Sequence, residues 1–123
     1  MLKNRVFLIF VGTGLACCIS HSFPLAHIGA YAPDAGISEL TAASILGVVG
    51  ISASAGRLLW GAASDYIGAR KAVLYCIAGQ SSAMFLIAFT GNLWALYLFA
   101  VGFGMFYGGV LSLYAVVSRE LFG

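Results

Sequence analysis

The sequence predicts an all-α protein, a polytopic transmembrane bundle of four helices. Three observations carry that prediction. Hydrophobic residues make up 62% of the 123-residue chain and charged ones 8%, with a strongly positive mean hydropathy, more apolar surface than a water-soluble chain of this length can bury. The charges are segregated: none lies from Val6 to Pro33, only Arg57 interrupts Leu40 to Ser64, and none lies from Ala72 to Ser118. Two of these stretches are joined through GRLLWGAASDYIGARK, Gly56 to Lys71, in which a short charged turn separates two membrane-length apolar segments.

The first crossing is expected at about residues 6–31, behind Lys3 and Arg5. A cleaved signal peptide is its rival, but the run exceeds a typical h-region of about 7–15 residues. A second helix follows at about 39–64, beyond a connection at 32–38. The run from Ala72 to Ser118 would reach roughly 70 Å as one helix, over twice the hydrocarbon thickness, so it must fold back. Gly91-Asn92 is the turn-prone break, with Trp94 and Tyr97 placed as interfacial aromatics. The third and fourth helices are therefore expected at about 70–90 and 93–118. No low-complexity tract, hydrophilic linker or second domain interrupts residues 1–123, read as a single transmembrane region.

Alternating four helices across a bilayer puts Lys3, Arg5, Arg70, Lys71 and Arg119 on one side, while the other side has Asp34 and Glu39 and no cation. The positive-inside rule then places both termini in the cytoplasm. The membrane expected is the plasma (inner) membrane. The net charge of +2 thus reflects topology, and no basic stripe with interleaved aromatics suggests a nucleic-acid partner.

Cys17, Cys18 and Cys76 fall inside apolar spans and read as small packing residues rather than a disulfide framework. Cys17 and His21 are four apart, but two ligands fall short of a four-ligand metal centre, so no metal is expected, and no cofactor motif is present. Sixteen glycines, many within the spans, suit close helix packing. Gly104 and Gly108 have the small-x-x-x-small spacing, and Gly102 and Gly109 smooth the fourth helix further.

Arg57 is the residue on which function turns. It stands eight residues before Asp65, about 12 Å from the expected helix end, and its Cα–Cβ bond tilts back toward the membrane centre. A midspan arginine costs about 2.5–3.5 kcal/mol on insertion scales, so it calls for a partner or an aqueous cavity. Helical spacing gives it a small, polar side: Ala43, Gly50, Ala53, Ser54, Gly61 and Ser64, with Trp60 flanking. Val48, Ile51, Leu58 and Leu59 form the lipid-like opposite side. A guanidinium so placed can bind a carboxylate bidentately, or bond carbonyls or a carboxylate elsewhere in the protein. His27, near the outer end of the first helix, is either an interfacial imidazole or a group titrating near neutral pH.

In the hairpin, Gly61 suits close helix approach, Asp65 leaves the second helix, Gly68 permits a tight turn, and Arg70 and Lys71 meet the cytoplasmic surface. The joint spacing Gly61-x-x-x-Asp65-x-x-Gly68-x-Arg70-Lys71 resembles the signature loop of the major facilitator superfamily, Gly-x-x-x-Asp-basic-x-Gly-basic-basic. Tyr66 and Ala69 replace two basic residues, as in the degenerate copy of the second half of such transporters. Pro24, His27, Tyr31, APDAGIS from Ala32 to Ser38, and Ala42-Ala43 resemble the seventh-to-eighth helix region of monocarboxylate porters and oxalate/formate antiporter-like members. Gly56-Arg57 fits their eighth helix, and Gly108-Gly109 through ELFG their tenth.

The resemblance implies a partial major facilitator fold, helices seven to ten of twelve. It also implies alternating-access transport of small organic anions such as monocarboxylates, with Arg57, His27 and Tyr31 as substrate-binding candidates. The partners implied are the bilayer, the anion, H+ as a coupling ion, and the remaining helices or a second copy. Some members pair the eighth-helix arginine with an aspartate one turn earlier; Ala53 withholds that pairing here. The alternatives are a truncated, non-transporting membrane protein or assembly subunit, and a small four-helix multidrug exporter. The exporter needs a carboxylate in its first helix, which this chain lacks. An enzyme is disfavoured: no intramembrane carboxylate pair, activated nucleophile or phosphate-binding loop is present.

The topology is directly testable in a background lacking native cysteines. Ala35→Cys and Asn92→Cys should react with an impermeant thiol reagent in intact cells, and Ala69→Cys only after lysis. The reverse pattern would invert the orientation.

Overall fold

The computed structural model describes residues 4–123 except Thr90, with the backbone alone at Ala32. Lys3, counted above among the cytoplasmic cations, and Thr90, the expected end of the third helix, lie outside the described residues, as does the Ala32 side chain of the APDAGIS segment. Among the described residues the chain forms four α-helices and no strand: α1 Arg5–Asp34, α2 Glu39–Ile67, α3 Ala69–Ile87 and α4 Leu93–Phe122. The expected helices are all there; α2 and α4 start where expected, at 39 and 93, and the other ends are displaced by one to four residues.

Local chemistry explains the ends. Asn4 caps α1, its side-chain oxygen accepting from the Val6 N–H at 3.1 Å. Thr13, Ser20 and Ser22 donate their hydroxyls to the carbonyls four residues back, which lets polar side chains ride inside an apolar helix. The helix passes through Pro24 and ends beyond Pro33, where Ala35 and Gly36 donate to Tyr31 and Pro33 carbonyls. Gly36 takes a φ of +72°, which a side chain would resist. Ser38 then starts α2, accepting from the Thr41 N–H at 3.2 Å.

Only Gly68 separates α2 from α3, at φ +86°. Its N–H donates to the Ser64 carbonyl and its own carbonyl accepts from Ala72, so the turn loses few backbone bonds. The expected tight turn is there. Asp65, however, does not leave the helix: α2 runs on to Ile67, because Gly68 rather than Asp65 supplies the chain reversal.

α1, α2 and α4 are each long and apolar enough to cross a membrane, and this is an integral membrane protein. α3 has 19 residues, about 28 Å, close to the hydrocarbon thickness of about 30 Å. Arg70, Lys71 and Gln80 make it the most polar of the four, and Gln80 is buried.

The chain divides into two compact units, residues 1–42 and 43–123. The first contains α1 and the opening turn of α2. The second holds the rest of α2 with α3 and α4, around the fully buried Phe103, Leu113 and Cys76.

Glycine governs that second core. A Cβ added at Gly56 would strike the backbone carbonyl of Met105, and one at Gly108 the carbonyl of Ala53. At Gly104 it would lie 2.6 Å from the Val49 carbonyl oxygen. Thus α2 and α4 meet backbone against backbone, a spacing that only small residues allow. On α4's other sides, Gly109 makes room for Cys76 and Trp60, and Gly79 of α3 for the Phe106 ring. Nearer the 91–92 turn, Ser44 of α2 and Tyr97 of α4 share a hydrogen bond of 2.6 Å.

Two substitutions separate packed glycines from open ones. Gly108→Ala should lower stability by about 1–3 kcal/mol, since the methyl forces the helices apart. Gly50→Ala meets nothing within 4 Å and should be neutral or stabilising by up to about 1 kcal/mol. Thermal unfolding of the purified chain in detergent checks both; equal effects would contradict the seam.

Candidate functional site

The surface of α2 falls into three strips. One, with Val49, Ala53 and Gly56 buried and Trp60 half-buried, faces α4. A second carries Ile51, Leu58 and Leu59, which are 74%, 78% and 58% exposed, the profile of a lipid-facing side. The third lies between them and contains Ala43, Gly47, Gly50, Ser54, Arg57 and Gly61. An added Cβ at Gly47, Gly50 or Gly61 would meet no atom within 4 Å.

Two residues expected beside Arg57 therefore belong elsewhere. Ala53 is buried on Gly108, and Trp60 lies against Gly109 with its ring centroid 5.8 Å from that of Phe106. The glycines of α4 draw both sideways, an effect invisible in the periodicity of α2 alone. Gly47, missing from the predicted strip, joins it. An added Cβ at Gly61 would meet no atom within 4 Å, so no helix of the described residues packs closely on that side of it.

Arg57 is exposed and stands ten residues before the end of α2, about 15 Å along the helix. No hydrogen bond or ion pair to it occurs among the described residues. The chain's carboxylates at Asp34, Glu39, Asp65 and Glu120 all lie near helix ends. A permanently charged, planar donor thus projects from a membrane helix over a strip of small residues, and Ser54 beside it bonds the Gly50 carbonyl at 3.1 Å. The arrangement can accept an anion with two oxygens; it offers no nucleophile or acid–base pair.

His27 and Tyr31 are one turn apart on α1 and both are exposed; the His27 ring packs against Phe23 at 4.1 Å between centroids. In the hairpin, Asp65, Arg70 and Lys71 are exposed, and Gly68 makes the turn. Arg70 Nε lies 3.9 Å from a Glu120 oxygen, linking the start of α3 to the end of α4. Both side chains are exposed, so the pair contributes at most about 1 kcal/mol. Neither this contact nor the Ser44–Tyr97 bond is legible in the sequence, because each joins residues far apart in the chain; Tyr97, expected as an interfacial aromatic, also ties α4 to α2.

Comparison with known proteins gives one family. The model of the Major Facilitator Superfamily matches residues 2–123, nearly the whole chain. No curated protein and no solved structure matches the chain.

Proposed function

The chain belongs to the major facilitator superfamily, and from that premise we propose that it forms part of a transporter of small organic anions, monocarboxylates foremost, with Arg57 as the anion contact. The observation that carries this reading is the position of Arg57. Placing a guanidinium within a membrane span is unfavourable by a few kcal/mol unless an anion or water meets it. No carboxylate of the described chain meets it, and the strip around it holds only small residues, so a carboxylate substrate has both a charge to bind and space to approach. His27 and Tyr31 are proposed as secondary contacts on α1, through the resemblance of that helix to monocarboxylate porters. Protons are the proposed coupling ion.

Transport by alternating access requires two bundles rocking about a central site. Four helices supply part of such an arrangement, and further helices or a second copy complete it in this proposal. The open strip of α2 is the side on which they would meet the substrate cavity. Cytoplasmic termini, as the distribution of cations predicts, put the Gly68 turn and the Arg70–Glu120 pair at the inner surface.

The test is uptake of a panel of labelled mono- and dicarboxylates by membranes containing the complete assembly. Arg57→Lys keeps the charge but loses the two-pronged geometry. Losing a hydrogen bond to a charged group, about 1.5–3 kcal/mol, corresponds to an uptake about 10- to 100-fold lower at equal membrane abundance. Unchanged uptake by Arg57→Ala would remove Arg57 from the site.

A further inference from the structure

The residue beside Arg57 has its only hydrogen already committed. Ser54 Oγ donates to the Gly50 carbonyl at 3.1 Å, one turn back, and makes no other hydrogen bond among the described residues. What it offers outward is its lone pairs, so toward a ligand Ser54 is an acceptor and not a donor. Thr13, Ser20, Ser22, Ser81 and Ser82 make the same backward bond, which at those positions settles a hydroxyl in an apolar helix. Ser54 differs in its company.

Arg57 stands three residues further on, which puts the two Cβ atoms about 5–6 Å apart on one side of α2. The Cα–Cβ bond of Arg57 leans toward the N-terminal end of the helix, over the turn that holds Ser54 and Gly50. Both Ser54 and Arg57 are exposed, and a Cβ added at Gly50 would meet nothing within 4 Å, so the space beside them is open. A fork of donors and a single acceptor thus flank one space.

We propose that Ser54 selects 2-hydroxy monocarboxylates over 2-oxo monocarboxylates, an inference that rests on Arg57 as the carboxylate contact. A carboxylate has only acceptors and takes the guanidinium; a hydroxyl on the adjacent carbon carries the hydrogen that Ser54 Oγ accepts. The oxo group of a 2-oxo acid has no hydrogen. It would set lone pairs against lone pairs, or force Ser54 to give up its bond to Gly50. A 2-amino acid can donate, but its ammonium would lie beside Arg57, and the described carboxylates that could offset a second positive charge all stand near helix ends. Of the three, the hydroxy acid satisfies both the charge and the hydrogen bonds.

The experiment uses membranes containing the complete assembly, with labelled propanoate, which carries neither group, as the transported reporter. Unlabelled 2-hydroxypropanoate should inhibit its uptake at concentrations about fivefold lower than 2-oxopropanoate, the effect of one net hydrogen bond. Ser54→Ala removes the acceptor and should bring that ratio to about one, whereas Ser54→Thr, which keeps the hydroxyl and its backward bond, should retain it. The ratio is taken within each variant, so altered membrane abundance does not move it. Equal inhibition by the two acids in the unsubstituted protein, or a ratio that Ser54→Ala leaves intact, would overturn the assignment while leaving Arg57 as an anion contact. No uptake of propanoate or of either competitor would overturn both.

Discussion

The contact on which the larger unit depends is the seam between α2 and α4, where Gly56 meets the Met105 carbonyl and Gly104 and Gly108 meet Val49 and Ala53. In a membrane no hydrophobic driving force holds helices together, so association relies on close van der Waals packing. Three glycines on two helices bring the backbones into contact over about two turns of α2. The same helices have bulkier neighbours elsewhere: Gly109 opposite Cys76 and Trp60, Gly79 opposite Phe106. α4 is thereby held on two sides, by α2 through backbone and by α3 through an aromatic ring set into a glycine notch.

The seam also fixes what α2 has left to offer. With one side committed to α4 and another apolar and exposed, the strip with Gly47, Gly50, Ser54, Arg57 and Gly61 remains. Glycine inside a helix lowers its stability by roughly 1 kcal/mol relative to alanine. At Gly56 and Gly108 packing offsets that loss; at Gly47, Gly50 and Gly61 nothing within the chain does. Their open space lies beside Arg57, among the described residues the one charge far from a helix end. The chemistry and the vacancy coincide, and this coincidence motivates the assignment of an anion site.

The four helices were legible because charge-free stretches and turn residues are local properties. Gly68 was identified as the turn residue, and its positive φ is the physical reason. The end of α2 differs from the expected one because Asp65 does not stop the helix: an exposed aspartate near a C-terminus costs only about 0.3–1 kcal/mol against the helix dipole, and the chain reverses where Gly68 allows it. Arg57's setting was legible in part. Periodicity separated Ile51 and Leu58 from Gly50 and Ser54, but it could not know that Ala53 and Trp60 face α4. That depends on glycines about fifty residues away, and pair contacts of this kind, like Ser44 with Tyr97 and Arg70 with Glu120, have no local signature.

The central claim is that α2 presents Arg57 and its small neighbours to water while Ile51 and Leu58 face lipid. The most direct measurement is the reaction rate of a small hydrophilic thiol reagent with single cysteines along α2, in native membranes and a background lacking native cysteines. Gly50→Cys and Ser54→Cys should react readily, and Ile51→Cys and Leu58→Cys should be at least tenfold slower. Equal rates on the two strips, or protection of positions 50 and 54 with reaction at 51 and 58, would contradict the account.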